Sequence, residues 1–133
     1  LRSEYVKSIE LYFDFVRNKK LKISSKDFRI FFKDIKYKKN DFVYLDPPYL
    51  IAASEYNKLW DEKSENNLYE IMDYLNKKRV KFALSNLTNY NGFTNSTLKK
   101  WMQKYKVHSI ESNYINYHNN KKKRIREVLI TNY

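Results

Sequence analysis

Cysteine is absent from this 133-residue chain, which excludes disulfide staples and thiolate zinc sites. Histidine occurs only at His108 and His118, so no metal site is expected. Glycine is almost missing too: Gly92 stands alone, and no glycine-rich loop exists anywhere in the sequence. No apolar run approaches the ~20 residues of a membrane span, and the N-terminus lacks the charged, apolar and small-residue order of a signal peptide. A cytoplasmic protein that does not enter the membrane is therefore expected. Internal repeats and low-complexity linkers are lacking as well, and the length allows one domain at most.

Basic residues dominate what is present. Lys and Arg number 27 against 15 Asp and Glu, a formal charge of +12. Such an excess favours a polyanionic partner through counterion release and long-range steering, with nucleic acid as the natural candidate. An A·T-rich genome would also encode a chain heavy in Lys, Asn, Ile and Tyr, so charge by itself is a weak marker of nucleic-acid binding.

The spacing of apolar residues predicts four helices. Val6, Ile9, Phe13 and Val16 share one face, as do Phe28, Phe31, Phe32 and Ile35 behind Ser24-Ser25. Leu68, Ile71, Met72 and Leu75 follow Ser64, and Leu98, Trp101, Met102 and Tyr105 follow Asn95-Ser96. Short β-rich runs stand between them at 21–24, 42–45, 80–85 and 107–110, with a last one at 127–132. This alternation predicts an α/β fold with a mostly parallel sheet. No helix separates the last two runs, so they are expected to pair as an antiparallel hairpin.

The chemistry concentrates where the run Phe42-Val43-Tyr44-Leu45 ends in Asp46-Pro47-Pro48-Tyr49. Two prolines donate no N–H and hold φ near one value, so the strand must leave the sheet there. In an open α/β sheet the carboxyl ends of strands are where ligands bind. Fixed φ also aims the carbonyl oxygens of Asp46 and Pro47 with little freedom left to lose. A carboxylate and a backbone carbonyl held close together can accept both hydrogens of an exocyclic amino group, while a tyrosine ring beside them offers a face to a flat heterocycle. Drawing that amine toward tetrahedral geometry localises its lone pair, an effect felt mainly in the transition state. Asp-Pro and Pro-Pro are also ordinary turn dipeptides, although a surface turn does not need a buried apolar strand in front of it.

These residues, with Phe82-Ala83-Leu84-Ser85-Asn86 and Glu127-Val128-Leu129-Ile130-Thr131-Asn132-Tyr133 after them in order, resemble the catalytic half of a Dam-type (D12 class) DNA adenine-N6 methyltransferase. The resemblance implies a class I methyltransferase, Rossmann-like sheet with an antiparallel C-terminal strand. It implies S-adenosyl-L-methionine as donor, double-stranded DNA as partner, a flipped adenine as target, and a place in restriction–modification. Asp46, Pro47, Pro48 and Tyr49 would then be the catalytic loop. Asp27-Phe28, after the short run Leu21-Lys22-Ile23, is similar to the acidic and aromatic pair that holds the donor's adenine ring, with Asp46 also near the donor. The family's F-x-G-x-G donor loop, N-terminal lysine motif and most of its recognition region have no counterpart here. The expectation is therefore a partial catalytic domain, residues 1–20 a leading helix and 21–133 the catalytic half, which alone transfers no methyl group and whose partner would be the missing N-terminal part.

Other positions carry two readings each. Tyr56, Asn57 and Trp60 after the loop close over the site or touch DNA, or Trp60 simply anchors the next helix. Ser85-Asn86 is a supporting polar pair or a turn; Asp27-Phe28 is a donor contact or a helix start with its first core residue. Lys121, Lys122, Lys123, Arg124 and Arg126 form a basic tract at the expected hairpin tip, suited to phosphates, though a solvated turn fits as well. Two alternatives stay open at the level of function: a basic nucleic-acid-binding module without catalysis, and a methyltransferase acting on another amino group.

Overall fold

The computed structural model describes residues 2–18, 21–52, 57–110 and 125–133. Its elements are α1 (Arg2–Asn18), α2 (Phe28–Asp34), β1 (Phe42–Leu45), α3 (Glu62–Lys77), β2 (Lys81–Tyr90), β3 (Phe93–Thr94), α4 (Ser96–Trp101) with a 3-10 turn at Met102–Lys104, β4 (Lys106–Ile110) and β5 (Arg126–Thr131). The sheet runs β1-β2-β5-β4, with β3 paired to the end of β2. β1 lies parallel to β2, and β5 is antiparallel to both β2 and β4. β1, β2 and β4 therefore share a direction that only β5 and the short β3 oppose, as expected for a last strand reached by a hairpin.

The α/β alternation is confirmed, with two corrections. Leu21-Lys22-Ile23 is not a strand: residues 21–27 are irregular and exposed. A run of three residues with no partner strand beside it among the described residues has no ladder to join. β2, in turn, does not stop at Ser85 but continues to Tyr90, because β5 pairs with it up to Asn89, across a register shift between Leu87 and Asn89.

Helices α3 and α4 cover one face of the sheet. Strand alternation sends Phe82 and Leu84 of β2, with Val128 and Ile130 of β5, into a core completed by Leu68, Met72, Leu75, Leu98 and Trp101. Tyr69 stacks on Trp101 at 4.4 Å, and Tyr105 meets Phe82 edge-on at 5.2 Å. Asp73 ties this aromatic group to α3, accepting from Trp101 Nε1 (2.8 Å), the Tyr105 hydroxyl (2.6 Å) and Lys104 Nζ (2.7 Å). On β1, Val43 and Leu45 turn toward this core, whereas Phe42 and Tyr44 point the opposite way and are exposed. The stripe on α1 forms but is not buried: Val6, Ile9 and Phe13 are about half exposed. No described helix is long and apolar enough to cross a membrane.

Local sequence explains the element ends. Asp61 and Asn95 cap α3 and α4 by accepting from Ser64 N and Leu98 N. α3 closes with bonds from Arg79 N to Asn76 O and from Val80 N to Leu75 O around Arg79 at φ 59°, the left-handed cap that starts β2. Asn91 (φ 49°) and Gly92 (φ 92°) form the two-residue turn that lets Phe93 pair with Tyr90. A Cβ on Gly92 would meet nothing within 4 Å, so Gly92→Ala carries only the backbone cost of its left-handed φ. We expect denaturant titration to show a loss of about 1 kcal/mol.

Candidate functional site

β1 ends at Leu45, in register with Leu84 of β2, so the following loop emerges at the carboxyl end of the parallel pair. Asp46 is exposed, while Pro47, Pro48 and Tyr49 are partly buried, so among the described residues the corner is left open at Asp46. The chain then folds back on itself. Ala52 N donates to Tyr49 O (2.9 Å), and Asn57 Nδ2 bridges the carbonyls of Tyr49 (2.5 Å) and Ala52. Asn57, a candidate for DNA contact, thus anchors the loop from behind. Tyr56 and Lys121 to Arg124 lie outside the described residues, whereas Arg126 opens β5, with its side chain exposed.

The loop separates two environments. On its α2 side lies an aromatic cavity of about 380 Å³, walled by Phe28, Phe32, Asp46, Pro47, Pro48 and Trp60. Phe28 and Trp60 stand 5.5 Å apart, and the buried indole N–H of Trp60 has no hydrogen-bond acceptor among the described residues. Phe28 and the Asp-Pro-Pro segment, which the sequence placed in one site from 18 residues apart, do line one cavity. Asp27 serves differently. Its carboxylate caps α2 at Arg29 N (2.9 Å) and pairs with the Arg29 guanidinium (2.7 Å), and these bonds hold its pKa down at about 2.

On the other side the Tyr49 hydroxyl meets three oxygens: Ser85 Oγ at 2.8 Å, Asp46 Oδ1 at 3.1 Å and Glu127 Oε1 at 3.2 Å. Burial drives the Tyr49 pKa far above the usual phenol value; the Asp46 and Glu127 carboxylates add to the rise, while the Ser85 hydrogen bond opposes it. The phenol is therefore a hydrogen-bond donor at any accessible pH. Ser85 and Asn86 sit inside β2 rather than in a turn, and strand alternation sends them to opposite faces. Ser85 joins the Tyr49 group. Asn86 is fully buried toward α3, donating to Glu65 Oε1 (3.3 Å).

Glu127 escaped the sequence reading as a site residue, being visible only as the first letter of an apolar strand. Sequence parity alone places it on the face of Leu129, two residues on; the structure adds the register that sets Leu129 opposite Ser85.

Comparison with known proteins adds a further finding. Residues 4–116 match the sequence pattern of the family described as D12 class N6 adenine-specific DNA methyltransferase. The chain is similar to the modification methylase StsI of Streptococcus sanguinis (48% identical over 103 residues) and the type II methyltransferase M.FokI of Planomicrobium okeanokoites (45% over 101 residues). It is also similar to the modification methylase LlaI of Lactococcus lactis subsp. lactis (35% over 105 residues). These alignments cover 71%, 71% and 73% of this chain but only 16% of each relative, so the chain spans a minor part of their length.

Proposed function

The chain belongs to the D12 class N6 adenine-specific DNA methyltransferase family, and from that membership we propose that its Asp46-Pro47-Pro48-Tyr49 corner clasps an adenine flipped out of double-stranded DNA for methylation at N6. The observation that carries this reading is the open, proline-stiffened corner at the carboxyl end of β1 with the aromatic cavity directly behind it. The strand order, with β5 antiparallel between β2 and β4, supports a class I methyltransferase sheet.

In this reading Asp46 and the carbonyl of Pro47 accept the two amino hydrogens and pull the nitrogen toward tetrahedral geometry. Tyr49 stacks on the base, and stacking of this kind is worth roughly 1–3 kcal/mol, which offsets part of the cost of extrusion. The cavity fits the flat ring of S-adenosyl-L-methionine: Phe28, Pro48 and Trp60 supply its walls, and the indole N–H, without a partner among the described residues, is a donor available to an acceptor nitrogen of that ring. When bound, that donor would supply an electrophilic methyl group to the amine nitrogen held by Asp46 and Pro47, with its thioether as the leaving group. The extra proton on nitrogen passes to Asp46 or to water. Lys121, Lys122, Lys123, Arg124 and Arg126 would meet phosphates, which provide affinity without sequence information. The names of the relatives favour a modification role beside a restriction enzyme.

The test is direct. The intact gene product, incubated with labelled S-adenosyl-L-methionine and double-stranded DNA, should yield N6-methyladenine on nucleoside analysis. Salt-dependent DNA binding that persists in Asp46→Ala, with no methylated base from the unsubstituted protein, would instead mark a binding module without catalysis.

A further inference from the structure

The Tyr49 hydroxyl stands within nearly equal reach of two carboxylates, 3.1 Å from Asp46 Oδ1 and 3.2 Å from Glu127 Oε1. A phenol carries one proton and can satisfy only one of them at a time. Ser85 Oγ completes the group, 2.8 Å from the phenol oxygen and 3.4 Å from Glu127 Oε1. With the Tyr49 proton on Asp46, Ser85 donates to Glu127. With the Tyr49 proton on Glu127, Ser85 donates to the phenol oxygen. Both patterns fix the ring, but only the second leaves Asp46 free.

The two acids differ in access. Asp46 is exposed at the corner, where a base can arrive, whereas Glu127 is only 9% exposed on the central strand β5 and cannot reach one. Among the described residues, the side-chain partners of Glu127 are these two hydroxyls. A buried carboxylate is costly to keep, and packing alone would favour an apolar residue in its place.

We propose that Glu127 is a positioning residue for the methyl transfer, taking up the Tyr49 hydroxyl when an adenine amino group claims Asp46, so that the stacking ring stays locked while Asp46 is released. This rests on the adenine-N6 reading above. Without Glu127 the phenol has one carboxylate left, and Asp46 must choose between holding Tyr49 and holding the substrate amine. The loss therefore falls on turnover, because the donor cavity lies on the far side of the loop and does not include Glu127.

A double-mutant cycle in the intact gene product tests this. Glu127→Ala should lower kcat for DNA methylation tenfold or more, with KM for S-adenosyl-L-methionine unchanged. Glu127→Gln, whose amide oxygen is a weaker acceptor than a carboxylate, should lose about three- to tenfold. In a Tyr49→Phe background both losses should vanish, since no hydroxyl remains to be placed. A second readout needs no turnover. In a duplex carrying 2-aminopurine at a mismatch, where extrusion is easy, fluorescence at equal bound DNA should be higher for Glu127→Ala because the quenching ring is loosened. Equal losses in both backgrounds, or unchanged kcat and fluorescence, would overturn the proposal. If Glu127→Ala does not fold, the Glu127→Gln cycle decides alone. An unsubstituted protein that forms no N6-methyladenine but whose 2-aminopurine signal still responds to Glu127 counts against the enzyme reading and for the placement of the ring.

Discussion

Asp46→Ala should lower methyl transfer in the intact gene product by about 10²–10³-fold, the scale seen when one preorganised hydrogen-bonding group is removed from a site of developing charge. The amino nitrogen of adenine is a poor nucleophile while its lone pair is delocalised, and in the proposed reading the carboxylate is one of two acceptors that localise it. The carbonyl of Pro47 cannot replace it, because one acceptor orients one hydrogen. Stability should hardly change. Asp46 is exposed, and its one described bond is to a hydroxyl that keeps Ser85 and Glu127 as partners. Asp46→Asn keeps an acceptor oxygen without the charge and should fall between the two. Saturating kinetics with both substrates, beside a thermal melt, measures this. A kcat within threefold of the unsubstituted protein would show that the corner does not ready the amine.

The corner was legible because proline and strand signals are local. Two prolines after four apolar residues can end a strand in few ways, and the position of Asp46 follows without any tertiary knowledge. Helices α3 and α4 were legible from apolar residues at helical spacing; Asn95 caps α4 as its place ahead of Leu98 indicated, whereas α3 starts earlier than Ser64 suggested, with Asp61 as its cap. The hairpin turn at Asn91-Gly92 carried an equally local signal, an Asn-Gly pair, but the strand it leads into, Phe93–Thr94, is too short to show a strand pattern of its own. Cross-strand neighbours are another matter. Ser85 and Glu127 are 42 residues apart, and their meeting depends on a register that no window of sequence contains. Asn86 was misread for a related reason: its acceptor Glu65, which it shares with Asn95, belongs to a buried cluster assembled from three elements.

That cluster carries the largest expected effect on stability. Glu65 is fully buried on α3, and its Oε1 accepts from the Tyr69 hydroxyl, Asn95 Nδ2 (2.8 Å) and Asn86 Nδ2 (3.3 Å), while Oε2 has no partner among the described residues. Asn95 also caps α4, so one carboxyl oxygen joins α3, β2 and the start of α4. Glu65→Ala leaves three donors buried without an acceptor and should cost about 3 kcal/mol or more. Charge is a separate matter. Burial raises the Glu65 pKa, and the three hydrogen bonds only partly oppose it. Below the ordinary glutamate range the group is protonated both folded and unfolded. As pH rises through that range the unfolded chain releases its proton first, so the folded state holds more protons and stability declines until the buried carboxyl also ionises. Glu65→Gln retains an oxygen for the same donors and has nothing to titrate. Urea unfolding of both proteins at pH 4, 5.5 and 7 should therefore show a difference that shifts in favour of Gln as pH rises, and a constant difference would show that this carboxyl ionises at an unshifted pKa.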